Sequence, residues 1–134
     1  MAVDDHSRYA YVEALPNERA VTTVAFLERA LDHFAAQGVP VERVLTDNGN
    51  GYVSRLFRAA ATAQGVRLKR TRPYRPQTNG KAEAFNKILQ NEWAYLRPYD
   101  SNQERLDELC TFLRYYNEQR PHGGIGGFSP ASRL

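Results

Sequence analysis

A short apolar run at residues 41–46, carrying Val41, Val44 and Leu45, sits between two stretches of helical periodicity. No other feature restricts the fold as strongly. Before it, Val24, Leu27, Leu31 and Phe34 recur at the spacing of one helix face, which predicts a helix over residues 19–37 that stops at Gly38 and Pro40. After it, Leu56, Phe57 and Ala60 predict a shorter helix over 54–64, ended by Gly65, and then a strand at 66–69. A strand flanked by helices on both sides is the unit of an α/β sheet layered by helices.

The remaining segments extend this plan. Ala2-Val3, the turn-forming Asp4-Asp5-His6-Ser7-Arg8, and a return strand with Tyr9, Tyr11, Val12 and Leu15 predict a hairpin closed by Pro16-Asn17. Pro73 and Pro76 exclude regular structure over 72–79, so a loop is expected there, followed by a helix over 81–95. The last long helix, 101–119, opens on a capping box of Ser101 with Glu104. Leu106, Leu109, Cys110, Leu113 and Tyr116 share one face of it, which assigns Cys110 to packing and leaves Phe112 and Tyr115 for a subunit interface. At 134 residues the whole span 1–134 is expected to form one domain.

Two carboxylates stand in strings suited to metal-dependent chemistry on nucleic acid. Asp47 follows the 41–46 strand in Leu45-Thr46-Asp47-Asn48-Gly49, and Glu83 lies where the loop ending Gln77-Thr78-Asn79-Gly80 becomes a helix. A strand end and a helix start can converge at one end of a sheet, where open α/β folds place their sites. Paired hard-oxygen ligands of this kind hold divalent ions that clamp the attacking and leaving oxygens of a phosphoryl transfer. Asp-Asn-Gly is also ordinary turn chemistry, and Glu83 alone is an ordinary solvated helix position. The two intact strings together favour the functional reading. Glu83, Asn86, Lys87 and Gln90 fall at i, i+3, i+4 and i+7 on one helix face, suited to a metal and an adjacent phosphate strand.

Charge supports a polyanionic partner. The chain carries only a formal +3, but between Arg67 and Lys87 seven basic residues accompany a single acid, Glu83. Such a segment raises a positive potential, although a solvated charged face would have the same composition. Arg72, Arg75, Gln77, Asn79 and Lys81, with Asn86, Lys87 and Gln90, are the expected DNA contacts. His6, His33 and His122 are too scattered to ligate a metal together, and Trp93 and Tyr95 suit core or interface positions better than base stacking. The lone Cys110 excludes an internal disulfide, and no apolar stretch approaches a membrane span. Asp4, Asp5 and Arg8 interrupt any signal-peptide core, so a cytoplasmic protein with no membrane partner is expected.

These strings resemble the catalytic core of DDE transposases and retroviral integrases, as found in bacterial insertion-sequence transposases. The likeness runs through Asp4-Asp5-His6-Ser7-Arg8, Thr46-Asp47-Asn48-Gly49, Arg75-Pro76-Gln77-Thr78-Asn79-Gly80, Glu83, Tyr116-Asn117-Glu118-Gln119-Arg120-Pro121-His122 and the tail from Gly123 to Pro130. It implies a ribonuclease H-like mixed sheet layered by helices, using Mg²⁺ or Mn²⁺ to cut DNA and join the freed 3′ end to a target strand. It implies DNA and further copies of the chain as partners, and a place on the bacterial nucleoid when DNA is bound. Asp47 and Glu83 match the second and third acidic residues of the family triad, as both catalytic residues and metal ligands.

The first acidic residue belongs to a strand that precedes residue 2 in the family, so the first strand of the fold is expected to be absent from these residues. Asp4 and Asp5 are expected to be turn residues at the opposite sheet edge, since a strand of about five residues spans roughly 17 Å. A gap in mid-sheet, filled by a partner's strand or by a rearranged hairpin, and a weakly binding, catalytically incomplete metal site are the corresponding expectations. A non-catalytic nucleic-acid-binding or assembly module of the same fold is the alternative.

Overall fold

In the computed structural model, residues 1–49, 51–70, 80–94 and 97–134 are described. Their elements follow in the order β1 (Ala2–Val3), β2 (Ala10–Tyr11), α1 (Ala20–Ala36), β3 (Arg43–Thr46), α2 (Arg55–Ala63), β4 (Arg67–Arg70), α3 (Gly80–Leu89), a π-helical turn (Gln90–Ala94) and α4 (Asn102–Glu118). Short 3₁₀ turns at Gly123–Ile125 and Pro130–Arg133 close the chain. The four strands pair as two two-stranded sheets rather than as one: β1 with β2 antiparallel, and β3 with β4 parallel. The chain divides into two compact units, Met1–Val12 with Lys81–Leu134, and Glu13–Gly80.

The unit of Glu13–Gly80 is an αβαβ succession whose boundaries are set locally. Asn17 Oδ1 accepts from the Arg19 amide and the Thr22 hydroxyl ahead of α1, where Arg19 itself offers no capping side chain. The helix ends at Gly38, whose φ of 79° a side chain would resist, and the Val39 amide returns to the Phe34 carbonyl. α2 repeats the device: Ser54 accepts from the Phe57 amide at the start, and Gly65 turns the chain so that Val66 bonds back to Ala61. The core gathers Leu27, Phe57, Ala61 and Val66, with Val24, Leu31, Val41, Val44 and Leu68 packed against them. Val44 and Leu68 are directly paired in the parallel ladder, so one sheet face carries this core. Arg43, Leu45, Arg67 and Lys69, at the alternate positions, are exposed.

The other unit is organised by α4. Its buried face is Leu109, Phe112 and Tyr116, packed with Phe85 and Leu89 of α3 and with Ala10 of β2. The Phe85 and Tyr116 rings meet edge-on at 4.9 Å between centroids. Three expectations are corrected here, the first being that Leu106, expected on the buried face, is 38% exposed. Cys110 is exposed rather than packed, and Phe112 is 8% exposed, a core residue rather than an interface one. The helix is rotated toward Phe112 because the aromatic buries far more apolar area than a thiol.

Ser101 does cap α4 by accepting from the Glu104 amide, while the Glu104 carboxylate reaches the Asp100 amide instead of closing the box on Ser101. The helix expected over 81–95 is α-helical to Leu89 and π-helical through Ala94. Trp93 Nε1 donates to the Arg105 carbonyl and the ring packs on this core, a structural position. No helix of the described residues is long and apolar enough to cross a membrane.

Candidate functional site

Asp47 is the first residue beyond β3, exposed, with Oδ1 accepting the Gly49 amide at 2.8 Å. The turn chemistry of Asp-Asn-Gly is therefore used. It also orients the carboxylate, since an Asx turn of this kind fixes the side-chain torsion without neutralising the charge. Tyr52 is near enough for its phenol to be pushed up, first by burial and then by the negative charges of Asp47 and Glu18. The Tyr52 ring stands edge-on to Phe57 at 5.4 Å. The strand end bearing Asp47 is thus braced by an aromatic pair that belongs to the α2 core.

Glu83 lies in the first turn of α3, where a carboxylate interacts favourably with the helix dipole. It is exposed, and among the described residues it forms no ion pair. Asn86, Lys87 and Gln90 are exposed, as the i, i+3, i+4, i+7 spacing predicts, whereas Phe85 and Leu89 are buried. Asp47 and Glu83 belong to different compact units, so each is described within its own. Both offer hard carboxylate oxygens open to solvent, a donor set that fits Mg²⁺ or Mn²⁺. Among the described residues no three His, Cys, Asp or Glu side chains gather as a metal site. Arg72, Arg75, Gln77 and Asn79 lie outside the described residues.

Lys81, one of the expected DNA contacts, is held by a carboxylate partner. Its ammonium pairs with Asp5 Oδ1 at 2.5 Å. Both side chains are substantially exposed, so the pair is weak, but it lowers the net charge that Lys81 presents. Asp4 and Asp5 are turn residues, as expected. Asp4 Oδ2 accepts both the amide and the hydroxyl of Ser7, and the Asp4 amide bonds to the Tyr9 carbonyl. Arg8 in this turn has a φ of 66°, rare for a non-glycine residue, and the Tyr116 hydroxyl donates to its carbonyl.

The Tyr116–His122 string proves to be structural in its contacts. Asn117, buried, accepts from the Ala10 amide at 2.8 Å and donates to the Ala10 carbonyl at 2.9 Å, so one amide side chain completes both backbone groups of a β2 residue. Arg120 makes a two-pronged pair with Glu92 of the π-helical turn, which raises the guanidinium pKa further. His122 Nδ1 accepts the Gly124 amide, and burial with the nearby Arg120 and Arg8 charges lowers its pKa, so the ring is a neutral acceptor. The Asn117–Ala10 and Arg120–Glu92 partnerships are not signalled by local sequence, because each joins residues far apart in the chain.

Comparison with known proteins agrees with these elements. Two models described as integrase core domain match residues 1–76 and residues 64–130. An uncharacterized protein of Caenorhabditis elegans is 33% identical over 131 residues, covering 98% of this chain and 10% of that protein. A cryo-EM structure of the simian T-cell lymphotropic virus intasome in complex with the PP2A regulatory subunit B56 gamma superimposes with a TM-score of 0.79. It shares 23% identity, over 98% of this chain and 45% of that one. The likeness establishes a ribonuclease H-like fold. The chain spans a tenth of the curated relative and under half of the viral protein.

Proposed function

The chain belongs to the integrase core domain family, and from that premise we propose that it is the core of a DDE recombinase acting in DNA transposition or integration, with Asp47 and Glu83 as its catalytic carboxylates. The observation that carries the reading is the placement of the two acids. Asp47 stands at the C-terminal end of a parallel strand and Glu83 on the first turn of a helix, both exposed and neither offset by a cation among the described residues. Open α/β folds build phosphate-processing sites from strand ends and helix starts.

Integrase core domains generally depend on divalent metal ions. Asp47 and Glu83 would hold them, and when bound such ions polarise the scissile phosphate and favour ionisation of the attacking hydroxyl. The chain's own residues have separate tasks. The Gly49 amide keeps the Asp47 carboxylate in one orientation. Asn86 and Gln90 offer amide donors, and Lys87 a cation with no ion pair among the described residues, to the sugar–phosphate backbone along the α3 face. The partners are DNA ends, a target duplex and further copies of this chain.

The two carboxylates account for two of the three acids of the family triad. Asp4 and Asp5 are assigned to the turn and not to the triad, in keeping with their contacts to Ser7 and Lys81. These residues alone should therefore bind metal weakly and join DNA near background. The second reading, a non-catalytic DNA-binding or assembly module, draws on the lack of a three-residue metal cluster among the described residues.

The test is strand transfer of a pre-cut DNA end in Mg²⁺ or Mn²⁺, by the chain as given and by a form bearing an added N-terminal strand with an Asp. Joining by the longer form that Asp47→Asn or Glu83→Gln abolishes supports the enzyme. Joining that ignores both substitutions overturns the assignment. Robust, Asp47-dependent joining by the short form removes the incompleteness.

A further inference from the structure

A cleft of about 520 Å³ opens in the Glu13–Gly80 unit between α2 and β4, with Arg58, Arg67 and Arg70 in its walls and no acidic residue among those lining it. Thr46 and Tyr52 also line it. Thr46 immediately precedes Asp47, and the Tyr52 phenol feels the Asp47 charge, so the cleft leads from the α2 surface to the strand end that bears the carboxylate. Arg58 lies on α2, outside the basic segment from Arg67 to Lys87, and only the fold brings it beside Arg67 and Arg70.

Arg29, Arg97 and Arg120 each pair with a carboxylate, whereas Arg58, Arg67 and Arg70 form no ion pair among the described residues. Like charges bordering one cleft repel, which costs stability unless an anion joins them. All three are exposed, so a small anion would meet them through screening solvent and bind poorly. A polyanion engages them together and gains from the counterions it releases. Arg67 and Arg70 begin and end β4, and both border the cleft. The Thr62 hydroxyl, one helical turn after Arg58, adds a neutral donor of the kind common in backbone contacts.

We propose that this arginine cleft is a phosphodiester-binding site that seats a DNA strand alongside Asp47, built from residues other than Asn86, Lys87 and Gln90. The proposal rests on the recombinase reading above and adds a contact surface to it.

The test is DNA affinity measured across a salt series for the wild type, for the triple variant Arg58→Gln, Arg67→Gln, Arg70→Gln, and for the corresponding triple Lys variant. The glutamine variant should lose about 2 to 3 from the slope of log K against log salt, at about 0.9 per phosphate contact, and bind at least tenfold more weakly at moderate salt. The lysine variant should keep the slope, which separates charge from a folding defect. An unchanged slope in the glutamine variant overturns the cleft. If Lys87→Glu still weakens binding in that case, the recombinase reading survives it. A wild type with no salt-dependent DNA binding overturns both. Inorganic phosphate should displace DNA no better than chloride of equal ionic strength, and specific displacement by phosphate would make this a small-anion site instead.

Discussion

At the scale of single residues, two positions show how closely this chain is packed. An added Cβ at Gly51 would meet Thr23 Oγ1 at 2.6 Å and the Glu18 carbonyl at 2.9 Å. Because one obstacle is backbone, the loop after Asp47 must shift to admit it. Gly51→Ala should lower stability by about 1–3 kcal/mol, measured by urea unfolding, and an unchanged midpoint would show that the loop yields freely. Tyr116 is the second position, with its phenol pushed up to about 12 chiefly by burial. Above pH 10 an unfolded tyrosine releases its proton while the folded one keeps it. Stability present below pH 10 is therefore lost as pH rises toward 12. Tyr116→Phe removes the donor to the Arg8 carbonyl, costing about 1 kcal/mol at neutral pH, and should flatten this alkaline decline. Thermal unfolding at stepped pH checks it, and parallel declines in both proteins would contradict it.

At the scale of elements, short polar contacts decide how helices begin and what they hold. Ser54 both accepts from the Phe57 amide and donates to the Gly51 carbonyl, so it caps α2 and ties it to the Asp47 loop. Ser54→Ala should destabilise by about 1–2 kcal/mol and Ser54→Asp by much less, a difference readable in melting temperature. Asn117 joins α4 to β2 through two hydrogen bonds, in a site that is 6% exposed. Asn117→Ala leaves both Ala10 backbone groups without partners and should cost about 2–4 kcal/mol. Hydrogen exchange at the Ala10 amide should accelerate in parallel. If it stays protected, another group satisfies the strand.

At the scale of the whole molecule, four short strands in two separate sheets leave β3 bonded along one edge only among the described residues. Two-stranded sheets are marginal by themselves and rely on helix cover. α4 keeps Leu106 and Tyr115 on its surface, 38% and 42% exposed, while Phe112 is withdrawn into the core. Exposed apolar and aromatic positions on one helix suit an interface between copies. Sedimentation should show self-association at high concentration, weakened by Leu106→Glu with Tyr115→Glu. A strict monomer would remove this interface.

The sequence by itself determined the α/β plan, the limits of α1, α2 and α4 within a residue or two, and the strand-end and helix-start positions of Asp47 and Glu83. Each rests on signals that act within one or two turns of chain: apolar periodicity, a capping serine, a glycine at positive φ. The exposed α3 face of Glu83, Asn86, Lys87 and Gln90 was legible for the same reason. Tertiary structure decided the rest. The rotation of α4, burying Phe112 and releasing Cys110, depends on which residues of α3 and β2 it meets. The Asn117–Ala10 bonds, the pairing of Lys81 with Asp5, and the meeting of Arg58 with Arg67 and Arg70 likewise follow from the path of the chain. Such contacts join segments whose local preferences are independent of one another, and only the burial of a shared core brings them together.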